Sequence, residues 1–179
     1  MSGLWQLFKK RQQRKSAAKA WQNTIVRLVM FKAPYEAGWF EDTFENRTQV
    51  MSVMTVLVMR RLRESDGGNR LARMVYDGAF SSIDAALREQ GVGDSSIARK
   101  IRGIGEAFVG LARAFGAALD HEDDEEIQAV LSRNAVCSAG NASSVLVWLR
   151  KIETQLKAFS DEEVHAASSI GGFTAPKTV

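Results

Sequence analysis

One cysteine, two prolines, two tyrosines and two histidines are spread over 179 residues. A single thiol, Cys137, cannot close an intramolecular disulfide or build a cysteine-cluster metal site; it reads as a buried free thiol in a reducing compartment. His121 and His165 lack metal-type spacing to a second ligand, so no metal is expected. With so little proline, and with many Ala, Leu, Arg and Glu, the composition points to an all-α fold. No apolar run reaches the roughly 20 residues that cross a bilayer, and no secretory signal follows the N-terminal positive charges. There is no phosphate-cradling glycine motif, no nucleophile elbow and no Cys–His arrangement within reach. The GVGD at 91–94 lacks the preceding strand that a dinucleotide fingerprint requires. These absences favour a binding protein over an enzyme, with no catalytic residues and no cofactor.

Acids are missing from residues 1–33, which carry eight cations and so a charge of +8. The whole chain is +3, leaving −5 for the rest. Such a head suits an anionic partner, either phospholipid or RNA, and in composition it is similar to an organelle transit sequence. Leu4, Trp5, Leu7 and Phe8 share an arc of a helix ahead of Lys9, Lys10, Arg11, Arg14 and Lys15. The segment could lie in a membrane interface, or form a docked or frayed arm. DNA is not expected, because no groove-reading helix accompanies the basic head.

The remainder reads as one domain, a bundle of about five to seven helices over residues 16–168. A first helix is expected from Ser16 to Lys32, stopped by Pro34. Residues 34–46 show no period and hold Tyr35, Trp39, Phe40 and Phe44 among acids, either as a loop pinned to the core or as a recognition loop. A second helix (46–64) contains VMSVMTVLVM, apolar on nearly every side and therefore central. After SDGG, a third helix (69–90) carries the stripe Arg73, Asp77, Ser81, Asp84 and Arg88 opposite an apolar face. Its two aspartates stand roughly 10 Å apart along the axis, too far for a shared proton or one metal.

At the corner that follows, Gly91 is placed for a positive φ and Asp94 for an N-cap. The fourth helix (95–119) has an Ile/Phe/Leu stripe, a polar side with Arg102 and Glu106, and a small-residue groove of Gly103, Ala107, Gly110, Ala114 and Ala117. Interior glycines there predict close backbone approach by another helix, the chain's own or a client's. The acidic run 120–126 loads the start of a short helix; a long last helix and a Ser160–Glu163 capping box follow. Residues 169–179 carry no pattern and are expected to be disordered.

One stretch carries a resemblance. Asp77, Phe80, Asp84, LRE at 87–89, GVGD at 91–94, Ile97, Lys100, Arg102, EAF at 106–108 and Gly110 resemble the signature of the ubiquinol–cytochrome c chaperone family. Asp42–Thr43, Arg47 and Arg61–Leu62 are similar to its DT…GR and RL elements, and Ser132–Arg133–Asn134 to its closing RN. The chain departs from the pattern at Asn46, Met54, Ser82 and Leu111. The similarity spans about residues 20–134. It implies an all-α assembly chaperone for the cytochrome bc1 complex that holds newly made cytochrome b, with a small partner protein and a ribosomal location in mitochondrial relatives. It also implies a site on the cytoplasmic side of the bacterial inner membrane, or on the matrix side if eukaryotic.

The candidate contacts for a client or partner are Trp39, Phe40, Asp42, Thr43, Arg47, Asp77, Asp84, Arg88, Arg102 and Glu106. Trp5, Phe8, Lys9, Lys10, Arg11, Arg14 and Lys15 are the candidates for membrane or RNA. Gly91, Gly93 and Asp94 form the structural corner. The competing reading is a membrane or ribosome adaptor with no bc1 role. An enzyme working through the Asp77–Asp84–Arg88 stripe would need a polar pocket there.

Overall fold

A computed structural model describes residues 2–178, with side chains from Trp5 to Thr178. Leu4, which completes the apolar arc in sequence, lies outside the described side chains. The described residues form eight α-helices and no strand: α1 Ser2–Val29, α2 Ala33–Glu36, α3 Phe44–Glu64, α4 Gly68–Glu89, α5 Asp94–Asp120, α6 Asp124–Arg133, α7 Ala142–Lys157 and α8 Ala167–Gly171. The all-α bundle expected from composition is what the chain adopts.

Helix α3 is the axis of the bundle. Val50, Val53, Met54, Val56, Leu57, Val58, Met59 and Leu62 are all buried, because α1, α4, α5 and α7 surround it. Its buried hydroxyls are satisfied within the helix: those of Thr48, Ser52 and Thr55 donate to the carbonyls four residues back at 2.7–3.0 Å. The helix begins earlier than its apolar run suggests. Thr43 is extended and its Oγ1 accepts from the Asn46 amide at 3.2 Å, so the first turn includes Phe44 and Glu45.

Helix α1 also begins earlier than expected, at Ser2 rather than Ser16, and runs unbroken through the basic segment. Its buried face starts at Ala17 and continues through Trp21, Ile25 and Leu28. It ends at Val29, so Pro34 does not terminate it. Pro34 sits instead in the first turn of α2, where a missing N–H costs nothing. The acidic run behaves as charge patterning predicts, since Asp123 caps α6 by accepting from the Glu126 amide at 2.9 Å. Ser160 and Glu163 form the reciprocal capping box.

Beyond Ser168 the chain is packed, not disordered. Ile170 and Phe173 are buried against α1, where Phe173 meets Trp21 edge-on at 6.4 Å between centroids. Two tryptophans secure this C-terminal segment. The Trp21 indole N–H donates to the Val164 carbonyl and the Trp148 indole N–H to the Pro176 carbonyl, at 2.9 and 3.0 Å.

Candidate client-binding surfaces

The aromatic loop between α1 and α3 is held by its charged residues. Arg47, in the first turns of α3, gives Nε to Asp42 at 2.7 Å and Nη1 to the Val29 carbonyl at the end of α1 at 3.0 Å. Its guanidinium lies 4.3 Å from the centre of the Tyr35 ring, and the Tyr35 hydroxyl donates to the same Val29 carbonyl at 2.9 Å. The bond from Arg47 holds the Asp42 carboxyl below its usual range, while burial pushes the Tyr35 hydroxyl above its own. Asp42, Thr43 and Arg47 therefore knit two helix ends and a loop together. Phe40 is buried against Tyr35 and Trp148, and Trp39 is half-buried.

Beside this knot opens a cavity of about 420 Å³, lined by Trp39, Phe40, Thr43 and Asn46 on one side and Ser132, Ala135 and Cys137 on the other. Asn46 ties the two sides: its Nδ2 donates to the carbonyls of Ala135 and Val136, each at 2.9 Å. Its Oδ1 is buried without a partner. Ala135 takes a left-handed φ of 53° to present its carbonyl there. Asn141 secures the opposite rim by donating to the Gly38 carbonyl at 2.7 Å. Two stretches some 90 residues apart, one around Asn46 and one around Ala135, thus meet at one hollow. Burial pushes the Cys137 thiol up to about 11, so it lines the hollow as a neutral, unreactive group. No local periodicity could have joined Asn46 to Ala135, and its role is invisible in sequence.

The charged stripe on α4 lies on an exposed helix face. Arg73 pairs with Asp77 at 3.0 Å; Arg88 pairs with Asp84 at 2.8 Å and, across the corner, with Asp94 at 2.6 Å. The bonds from Asp84 first, then Asp94, hold the Arg88 guanidinium above its ordinary value. All five side chains are more than a third exposed, so each pair contributes little to stability. Asp94 is not the N-cap that its position suggests. Gly93 occupies that place without a side-chain bond, and the Asp94 carboxylate turns back to Arg88. Gly91 has a φ of +76° and makes the turn. The corner rests on a small separate core of Ile83, Leu87 and Ile97, against which Phe44 at the start of α3 also packs.

The outer face of α5 differs from expectation. Gly103, Ala107 and Gly110 are exposed, with Val109 beside them, and a Cβ added at Gly103 or Gly110 would meet nothing within 4 Å. Among the described residues no helix approaches there; close approaches lie instead on α4, at Gly78 against the side chain of Gln22 from α1 and at Gly68 against the Leu62 carbonyl of α3. Arg102 and Glu106 stand exposed on α5 and enter no ion pair among the described residues. Beside α5, half-buried Tyr76 and Phe80 of α4 pack on buried Phe108. Tyr76, Phe80 and Phe108 have centroids 4.5–5.8 Å apart.

No helix among the described residues is long and apolar enough to cross a membrane. The N-terminal candidates are all on α1, where Trp5, Phe8, Lys9, Lys10, Arg11 and Lys15 are exposed and Arg14 is half-buried. The structure brings Trp39, Phe40 and Thr43 together around the hollow, and Asp84, Arg88 and Asp94 around the corner. It does not merge these groups into one pocket.

Among curated proteins, none matches this chain. A crystal structure of the Cbp3 homologue from Brucella abortus matches it with a TM-score of 0.79 at 26% identity, covering 98% of this chain and 97% of that one. The model of the ubiquinol–cytochrome c chaperone family matches residues 38–170, from the aromatic loop through α8. That span reaches beyond Asn134, where the sequence resemblance ends, and takes in the helices that close the core. The chain belongs to the ubiquinol–cytochrome c chaperone family.

Proposed function

We propose that this protein is an assembly chaperone of the cytochrome bc1 complex that captures newly made cytochrome b and holds it while it matures. The observation that carries this reading is family membership over residues 38–170, joined to a surface suited to an apolar client. The open flank of α5 offers Gly103, Ala107 and Gly110, which allow a client helix to approach the backbone closely. Arg102 and Glu106 border that flank on α5, and the ion-paired stripe from Asp77 to Arg88 on α4 offers further polar partners for the client's loops. The hollow around Trp39 suits a second polypeptide, such as a small partner protein. The work is binding rather than catalysis: Asp77, Asp84 and Arg88 lie on an exposed, ion-paired face that resembles no enclosed site. The basic half of α1 brings the chaperone to an anionic surface at the inner membrane.

The test is a pull-down from detergent-solubilised membranes, paired with deletion of the gene. Recovered cytochrome b should fall sharply for Asp84→Ala with Arg88→Ala, which keeps the wild-type unfolding midpoint, and again for Gly110→Leu, whose midpoint should not fall below it. Normal bc1 spectra and activity in the deletion strain overturn the proposal. A second reading, an adaptor without a bc1 role, draws on the exposed basic half of α1. It predicts that removing residues 2–15 abolishes every interaction while the α4 and α5 variants change none.

A further inference from the structure

We infer that the hollow beside Trp39 receives an arginine side chain presented by a second polypeptide, with Asn46 and Trp39 meeting the guanidinium and the carboxylates of Glu41 and Glu45 at the rim. The inference deepens the reading of this hollow as a polypeptide seat and rests on it; it does not depend on which client the chaperone holds.

The wall offers acceptors and lacks donors to meet them. Asn46 is 6% exposed, and its Nδ2 donates to the carbonyls of Ala135 and Val136 at 2.9 Å each. Carbonyls only accept, so this pairing fixes which way the amide is turned. Its Oδ1 is left buried without a donor. An unpaired buried acceptor is unfavourable, and folded chains keep few of them. Asn141, on the opposite rim, likewise commits its Nδ2 to the Gly38 carbonyl and leaves its oxygen as the group on offer.

The charge around the hollow has one sign. Glu41 and Glu45 both line it and both are exposed, and no Lys, Arg or His lines it with them. The cations closest in sequence are engaged elsewhere: Arg47 pairs with Asp42 and Arg133 with Glu126, each at 2.7 Å. Two carboxylates beside the rings of Trp39 and Phe40 favour a cation that also tolerates an aromatic surface. An acidic segment would be repelled at this rim, and an apolar side chain would leave Asn46 Oδ1 unpaired.

Between the two biological cations, the wall selects arginine. An ammonium is a compact, strongly hydrated point charge. A guanidinium is planar and weakly hydrated, stacks on an indole, and presents five N–H donors. Acceptors on more than one wall and a half-buried indole suit the second. The volume of about 420 Å³ falls within the roughly 300–1,000 Å³ of ordinary ligand sites, which is room for one long side chain and part of its backbone.

The experiment titrates the isotope-labelled full chain with a short capped peptide of glycine and serine around one central arginine. The same peptide with lysine or citrulline serves as the comparison; citrulline keeps the shape and removes the charge. The arginine peptide should shift the Trp39 indole signal and the Asn46 and Asn141 amide signals. Lysine should bind several-fold more weakly and citrulline about tenfold more weakly or worse. Glu41→Gln with Glu45→Gln should weaken the arginine peptide by roughly threefold to tenfold, and added salt should shrink that difference. Both side chains are exposed, so the unfolding midpoint of this variant should match the parent. Equal affinity for lysine or citrulline, unchanged affinity in the variant, or shifts confined to the acidic run at 120–126 overturns the arginine.

The seat itself is tested separately, by a photoreactive residue in place of Gln49, which also lines the hollow. A polypeptide crosslinked there in cells should be lost when Glu41→Gln and Glu45→Gln are added. An adduct that survives those changes keeps the seat and overturns the arginine. No adduct in the parent overturns both.

Discussion

The Trp21 indole N–H reaches the Val164 carbonyl at 2.9 Å inside the core, across 143 residues of sequence. The indole also packs on Phe159 at 5.6 Å, so one side chain joins α1 to the two segments that follow α7. Trp21→Phe leaves a buried carbonyl unpaired and a gap beside Phe159. The expected loss is about 2–3 kcal/mol, read as a lower urea midpoint with unchanged slope. An unchanged midpoint would show that the bond contributes nothing.

Removing residues 169–179 tests the packed C-terminal segment. Ile170 and Phe173 are both buried, and burying such side chains contributes about 1.5–3 kcal/mol each. The shortened chain should lose roughly 3–5 kcal/mol and bind a hydrophobic dye over Trp21 and Trp148. A chain that unfolds at the wild-type midpoint after this truncation would contradict the packing described.

Two glycines should respond in opposite directions. Gly91 holds a φ of +76° in open space, so Gly91→Ala meets no clash but is strained by about 1–2 kcal/mol. Gly110 lies within α5, also facing open space, and Gly110→Ala should stabilise the helix by up to about 1 kcal/mol. Thermal melts of the two variants should move apart, one below and one above the parent.

Acid should weaken the fold in part through Glu153. Burial pushes its carboxyl up, but bonds from Arg150 and Lys157 outweigh burial and leave it below the ordinary glutamate value of 4.5. A carboxyl with a depressed folded value gives stability that is complete above its unfolded value and disappears as pH falls through the folded one. The unfolding midpoint of the parent should therefore decline as pH drops below about 4.5, and Glu153→Gln should decline less steeply. Parallel acid limbs for the two proteins would remove Glu153 from the account.

The parts of the fold legible in sequence were those with one dominant local cause. Helix α3 declares itself because its apolar residues cover every side, and α6 because acids and an Asp cap gather at its start. The N-terminal half of α1 is a helix without a period, since it packs on nothing and its Lys, Arg and Gln residues sustain a helix by propensity alone. Ile170, Phe173 and Pro176 are isolated apolar residues in a bland segment; their order comes from Trp21 and Trp148, far away in sequence. The Gly103–Gly110 groove was visible as a surface, but close approach by one of the chain's own helices did not follow, because small residues permit an approach without supplying the helix that makes it. The hollow beside Trp39 depends on Asn46 reaching Ala135, a pairing that only the folded chain displays.

The long separation between Trp21 and Val164 bears on how the chain is made. At the ribosome, α1 is synthesised well before the segment that covers it, and contacts of such high sequence separation form late. Through most of translation the Trp21 flank has α3 and α4 to pack on but not Phe159, Val164 or Phe173. The emerging polypeptide therefore carries an aromatic-lined gap that closes only when those residues leave the exit tunnel. A pause in elongation between Ala142 and Phe173 would prolong that open stage and the chance of aggregation with it.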